Sequence, residues 1–262
     1  MYGFLIKKNF CDGWDNMLSI IVSNLVMVFA GAGLVLLNAY LAVNIWAQLL
    51  LYIVSFSVMS ILIFAYGDVA ANIANFNGVH VKDYFKQIPK CWKDGLLFGC
   101  MNAVITWVST IAISYYFFEN KSMFSLFLGA MICWIDIFII LAFQWFIPIR
   151  SLMHNNFKKC LKKSFLIFFD NKGFTIFQAF YNLILIALSI FFVGFMPSFS
   201  GIVLANTNAL RLRLYKYDYL EEHPELETRK EQKHIPWEEL IYDDRDMLGP
   251  RKFKSFIFPW KE

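Results

Sequence analysis

Long apolar stretches, separated by short polar segments, dominate the pattern of hydrophobic and polar positions in this chain. A helix needs about 20 predominantly apolar residues to cross the hydrocarbon core of a bilayer. Stretches of that length predict four membrane-spanning helices, at about residues 17–37, 43–66, 95–118 and 124–147.

A fifth apolar stretch, residues 174–212, is too long for one span and too short for two full ones. Gly194 and Pro197 interrupt it, and a proline disrupts a helix interior because it lacks the backbone N–H. The pattern therefore predicts a fifth helix that ends near Phe195, a turn at Met196–Pro197 and a short sixth helix that returns.

The distribution of Lys and Arg predicts the orientation, because basic residues mark the cytoplasmic side of a membrane protein. Six spans with both termini cytoplasmic place every Lys and Arg except Lys121 on that side, whereas five spans would place the basic tail outside. We therefore expect an all-α, polytopic membrane helix bundle with six spans, the last one short, in the cell inner (plasma) membrane.

Composition strengthens the membrane assignment. The chain of 262 residues is 58% hydrophobic and only 17% charged, whereas soluble proteins average about 25% charged residues. The lipid bilayer is thus the first expected partner.

The five cysteines show no CxxC or Cys/His spacing, and none falls on the predicted outer side. We therefore expect no disulfide framework, no metal site and no other cofactor.

Two cytoplasmic connectors, at about residues 78–94 and 151–169, have apolar residues at helical spacing with lysines between them. This pattern is typical of amphipathic helices at the membrane surface, with lysines toward anionic lipid headgroups. Each connector is followed by a short break, Asp94–Gly95 or 170–173, before the next span. A docking platform for a cytoplasmic partner is the alternative. The candidate surface residues are Lys82, Lys86, Lys90, Lys93, Lys158, Lys159, Lys162 and Lys163.

The third span carries a stripe of polar residues. Asn102, Thr106 and Ser109 recur at helical spacing after a Gly95-x-x-x-Gly99 pair at the start of the span. Polar groups inside spans usually face other helices, where they find hydrogen-bond partners.

Asp136, in the fourth span, is the costliest of these polar residues, because a carboxylate in the bilayer needs a partner, a proton or a function. With Asn102 and Thr106, and with Gln178 and Asn182 on one face of the fifth span, it forms a candidate intramembrane cluster. Two interpretations stay open: a polar path for a proton-coupled carrier or small solute, and hydrogen bonding between helices. No span contains an Arg, Lys or His to pair with Asp136.

No pattern in the sequence indicates catalysis, and we predict that the protein is not an enzyme. All four histidines lie outside the predicted spans, and there is no P-loop and no Gly-x-Ser-x-Gly motif. The acidic run at residues 243–246 predicts a solvated turn, because the spacing of a calcium loop does not follow. Nucleic acid is not an expected partner.

The composition becomes highly charged at about residue 215, which divides the chain into a transmembrane bundle, 1–214, and a charged, aromatic cytoplasmic tail, 215–262. The last helix is predicted to extend to His223–Pro224. The end of the tail interleaves basic and aromatic residues, a pattern that suits a membrane interface or a docked peptide. A tail packed back on the protein's own cytoplasmic face is equally compatible. Its candidate contact residues are Arg251, Lys252, Phe256 and Trp260.

The order of these parts resembles the YesL-like family (DUF624) of bacterial integral membrane proteins, over about residues 1–217. The matching segments are GVHVKDYFKQIPKCWKDGLLFGCMNA before the third span, FIPIRSLMHNNFKKCLKKSFLIFFDNKGFTIF after the fourth, and MPSFSGIVLANTNALRLRLY at the end. The resemblance implies a transport-associated accessory protein, since family members are often encoded beside carbohydrate ABC transporters. It implies no catalytic residues.

Two functions therefore stand at this point. The first is a non-enzymatic membrane accessory protein that binds a partner, such as a transporter permease, through its basic inner face and tail. The alternative is a small transporter or channel with a polar path around Asp136.

Overall fold

The computed structural model describes residues 1–41, 43–120, 122–224 and 235–251. All regular structure in these ranges is helical, which confirms the predicted all-α class. A π-helical turn, Tyr115–Glu119, continues the helix Val81–Ser114. The helices are α1 Tyr2–Asp15, α2 Met17–Leu41, α3 Ile45–Ala74, α4 Val81–Ser114, α5 Met123–Phe143, α6 Phe146–Met153, α7 Phe157–Asp170, α8 Lys172–Phe191, α9 Ser198–Glu222, α10 Trp237–Leu240 and α11 Tyr242–Leu248.

Five helical segments are long and apolar enough to cross a membrane, which agrees with the predicted membrane class. Many large apolar side chains on them point outward, among them Phe29, Trp134 and Ile140. An outward apolar surface of this kind suits a lipid environment, in which a helix does not need a polar face. The five segments are Met17–Leu41, Ile45–Ala74, Val81–Glu119, Met123–Met153 and Lys172–Phe191.

Helix α9 lies at the centre of the fold, directly after the turn at the cis peptide bond Met196–Pro197. Every residue from 203 to 210 is buried. Eight consecutive residues make more than two turns of helix at about 3.6 residues per turn, so protein surrounds α9 on all sides. Its neighbours are α1, α2, α3, α6 and α8.

Helices α3 and α4 approach each other most closely at Gly95 and Gly99 of α4. A Cβ atom on Gly95 would lie 2.7 Å from the Cα of Ile61, and one on Gly99 would overlap the Cα of Ser57. Both obstacles are backbone atoms, so a side chain could be accommodated only if the helices moved apart. The Gly-x-x-x-Gly pair seen in the sequence is therefore a helix contact of the small-residue kind.

The break expected at Asp94–Gly95 is absent, because α4 runs without interruption from the first lysine-bearing connector into the third span. Gly95 serves the close contact with α3 rather than a turn, and the helix also continues through Pro89. The second connector does form a separate helix, α7, which ends at Asp170 before α8 begins at Lys172.

Candidate functional site

Most lysines of the two connectors are exposed, and we call this set of lysines the basic face. Lys82, Lys86, Lys90 and Lys93 of α4 are exposed, as are three lysines of α7. Lys163 is partly covered, with Nζ 3.8 Å from the Sδ of Met153. The α7 lysines that are exposed are Lys158, Lys159 and Lys162.

Arg150 of α6 joins two carboxylates on neighbouring helices. Its Nη1 donates to Asp68 Oδ1 on α3 at 2.6 Å, and its Nε donates to Asp94 Oδ2 on α4 at 3.0 Å. Cys91 Sγ donates to the other Asp68 oxygen at 3.2 Å. Since Arg150 is on α6, these bonds tie α6, which directly precedes α7, to α3 and α4. The sequence analysis used Arg150 only to predict the orientation of the spans. Like Asp68 and Asp94, Arg150 lies just outside the end of a predicted span, and this shared position could have indicated the ion pairs.

A small polar pocket of 320 Å³ lies between α4 and the start of α7. Asp94, Arg150 and His154 line it together with Asn155 and the first residues of α7. Farther along α7, Cys160 is fully buried, and this burial raises the pKa of its thiol to about 11.

Asp136 lies in a groove of 510 Å³ between α4 and α5. Ser109 Oγ donates to its Oδ1 at 2.8 Å. Asn102 and Thr106 line the same groove, but their side chains donate to carbonyl oxygens of their own helix, Phe98 O and Asn102 O. The third-span stripe and Asp136 therefore face each other.

Gln178 and Asn182 are not among the groove residues; they belong to a separate amide cluster. Both donate to Asn206 Oδ1 on α9, each at 2.9 Å. Asn182 also donates to Gln144 Oε1 at 3.3 Å, and Gln144 donates to Thr175 O at 3.2 Å. The predicted intramembrane residues thus form two sites: a groove with one carboxylate, and a cluster that ties α8 and α9 to the end of α5.

A buried ion pair that the sequence did not indicate lies within α1, and a hydrogen bond from α9 to its carboxylate joins the two helices. Lys8 Nζ lies 3.1 Å from Asp12 Oδ2, and both residues are almost completely buried. Asn208 of α9 donates to the same Asp12 oxygen at 2.8 Å. Burial lowers the pKa of Lys8 and raises the pKa of Asp12, and attraction between the two charges opposes both shifts.

The described part of the tail packs back on the bundle. Arg211 Nη2 donates to Asp244 Oδ1 at 3.0 Å, and Asp244 is almost completely buried. The solvated turn predicted for residues 243–246 is therefore wrong at Asp244. Arg251 donates to Asp15 at 2.6 Å, and Lys7 donates to Gly249 O at 3.1 Å. The other predicted tail contacts, Lys252, Phe256 and Trp260, lie outside the described residues.

Within the described ranges, no group of three or more His, Cys, Asp or Glu residues is placed to hold a metal ion. Comparison of the chain with protein-family models, with curated proteins and with solved structures gave no match. The functional assignment accordingly depends on the geometry of the basic face, the groove and the docked tail.

Proposed function

We propose that the protein is a non-enzymatic integral membrane accessory protein that binds a membrane or cytoplasmic partner through its basic face and tail. One observation carries the proposal: Arg150 of α6, the helix directly before α7, pairs with Asp94 at the end of the lysine-bearing part of α4. Seven of the eight predicted lysines of the two connectors are exposed. Exposed lysines in such density attract anionic headgroups or acidic protein surfaces.

The proposed topology has six spans, with α9 as the sixth and both termini in the cytoplasm, in the cell inner (plasma) membrane. Two contacts support it, since Arg251 pairs with Asp15 and Lys7 donates to Gly249. These bonds hold the N-terminal helix and the described tail at the same end of the bundle. Basic residues at that end favour a cytoplasmic location.

The partner class we propose is a transporter permease of the carbohydrate ABC type, and it rests on the resemblance to the YesL-like family. The basic face would contact the partner's cytoplasmic surface or the anionic lipids around it.

The test is co-purification from native membranes in mild detergent, with neighbours identified by mass spectrometry. Wild-type protein is compared with a Lys158, Lys159 and Lys162→Gln variant and with a Lys→Arg variant at the same positions, which retains the charge. We expect a permease to co-purify with wild type and the Arg variant and to be lost with the Gln variant. Purification of all three without a partner, even after crosslinking, would contradict the proposal.

The second candidate is a small transporter or channel, and the observation that favours it is the 510 Å³ groove at Asp136. It predicts that Asp136→Asn changes substrate or proton flux in proteoliposomes. The groove runs between two helices at the side of the bundle, and the amides of Gln178 and Asn182 are bonded elsewhere. This arrangement lends more support to the accessory protein than to a continuous polar path.

A further inference from the structure

Asp136 occupies a position at which lipid provides no counter-charge. It is near the middle of the segment Met123–Met153, roughly 20 Å along the helix from Met123 at about 1.5 Å per residue. The residue is only partly covered by its neighbours. A charged side chain at that depth is expensive unless it pairs with another group.

The described part of the chain satisfies Asp136 only in part. Its Oδ1 accepts one hydrogen bond, from Ser109, and none of the ion pairs among the described residues includes it. An ionised carboxylate can accept about four hydrogen bonds. No described residue thus supplies a cation for Asp136, and the sequence places every Lys, Arg and His outside the apolar parts of the spans. A cationic partner at this depth is therefore best supplied by another molecule.

The lining of the groove around Asp136 has the chemistry of a contact between membrane helices. Thr106 and Thr110 of α4 are exposed along it, one turn apart, and Ser109 stands beside the carboxylate. Small hydroxyl residues of this kind let helix backbones approach closely inside membranes. The polar stripe faces the side of the bundle that surrounding spans or lipid would cover.

From this geometry we infer that the α4–α5 groove docks a transmembrane helix of a partner membrane protein that carries one lysine or arginine near its middle. The inference rests on the proposed accessory function and names the contact inside the bilayer. The partner's ammonium or guanidinium group would pair with the Asp136 carboxylate, and its backbone would pack on Thr106 and Thr110.

A second copy of this chain is a poor occupant of the groove. The apolar parts of its predicted spans carry no Lys, Arg or His, so two copies meeting at this groove would bring like charges together. Like charges in a low-dielectric setting repel strongly. Charge complementarity thus points to a different protein.

The test uses the full chain in vesicles with synthetic transmembrane peptides of about 23 residues, long enough to span the bilayer. The peptides share a leucine–alanine core and differ at one central residue, Lys or Leu. A photo-crosslinking amino acid replaces Thr110 in the groove or, as a matched control, Val108, which is exposed but does not line the groove. Crosslinked yield is measured on gels.

We expect the Lys peptide to crosslink at position 110 at least about fivefold more than the Leu peptide, and equally at position 108. Asp136→Asn should reduce the Lys peptide to the level of the Leu peptide. Equal yields for the two peptides, or a preference that survives Asp136→Asn, would overturn the inference.

A second variant covers the case in which Asp136→Asn fails to fold. Thr106→Trp fills the groove at an exposed position and leaves the carboxylate in place, so it should also abolish the Lys preference. Persistence of the preference in a folded Thr106→Trp protein would contradict docking in the groove. Self-association of wild type that Asp136→Asn removes would assign the groove to a second copy and overturn the inference as well.

Failure of this inference can be distinguished from failure of the proposed function. If the Lys peptide shows no preference while native partner capture still depends on the α7 lysines, the groove assignment falls and the accessory function stands. If the peptide preference is present but no native partner co-purifies, the proposed function falls.

Discussion

Helices α9 and α5 belong to the same bundle but have opposite surroundings. Of the 25 residues of α9, thirteen are buried, and among them are Asn206, Thr207 and Asn208. Only three of the 21 residues of α5 are buried, and the helix is apolar apart from Asp136 and a few small residues. Polarity therefore follows the surrounding medium: a helix enclosed by protein can carry hydrogen-bonding groups that a lipid-facing helix cannot.

The contrast predicts that changes around α9 cost far more stability than changes on α4 and α5 surfaces, except where those helices touch backbone to backbone. Four substitutions test it, each read as a free energy of unfolding from a denaturant titration in detergent micelles.

The largest loss of stability is expected for Asp12→Ala, in α1 where it contacts α9. The substitution leaves Lys8 buried without its counter-charge, and removal of one member of a buried pair costs about 3–5 kcal/mol. The control is Asp15→Ala, since Asp15 pairs with Arg251 at the surface. A loss no greater than that of the control would mean that Lys8 reaches water and that α9 is less enclosed than the structure indicates.

The next effect is expected for Gly99→Ala, at the closest contact of α3 and α4. The new methyl group would meet the backbone of Ser57, which cannot rotate away, and overpacking of this kind costs about 1–3 kcal/mol. Gly33→Ala on α2 is the matched control, because a Cβ there meets no atom within 4 Å. Equal stabilities for the two variants would disprove the backbone contact.

A smaller loss is expected for Asn206→Leu in the amide cluster. The side chains of Gln178 and Asn182 lose their shared acceptor, which should cost about 1–2 kcal/mol. A double-mutant cycle with Gln178→Leu isolates the coupling between the two amides. Additive losses would show that the hydrogen bond contributes no stability of its own.

The smallest effect is expected for Thr106→Val on the exposed side of α4. Its hydroxyl donates only to the carbonyl of Asn102 in its own helix, so the change should stay within about 0.5 kcal/mol. A loss comparable to that of Asn206→Leu would remove the distinction between the enclosed and the lipid-facing helices.

Several elements of the fold could be predicted because their signals are local. The end of α9 at Glu222, the turn before Ser198 and the separate helix α7 all follow from nearby breakers. The Gly95–Gly99 spacing indicated a helix contact, although the partner helix was unknown. The helix break predicted at Asp94–Gly95 was wrong because residues that end a helix in water can permit close packing of helices within a bundle.

The candidate site was only partly predictable, because charge pairing depends on the order in which helices pack. Asp136 and the stripe with Ser109 could be recognised as polar faces, but hydropathy does not say which faces meet. Asp244 reads as solvent-exposed in a run of charges, and its partner Arg211 is far away along the chain. The burial of Asp12 was not predicted for a related reason: α1 is buried by α9, which is far away along the chain.

The enclosed position of α9 also constrains how the protein is made. The helix follows the five candidate membrane-spanning segments in the chain, and its middle carries Asn206, Thr207 and Asn208, which lipid alone would solvate poorly. The helices that are made earlier must therefore form the site for α9 before α9 enters it. For this last long helix, the rest of the bundle takes the place of solvent. A nascent chain that stops before Ser198 would leave the amides of Gln178 and Asn182 without their partner. These unpaired amides are a feature by which membrane quality control could recognise the incomplete protein.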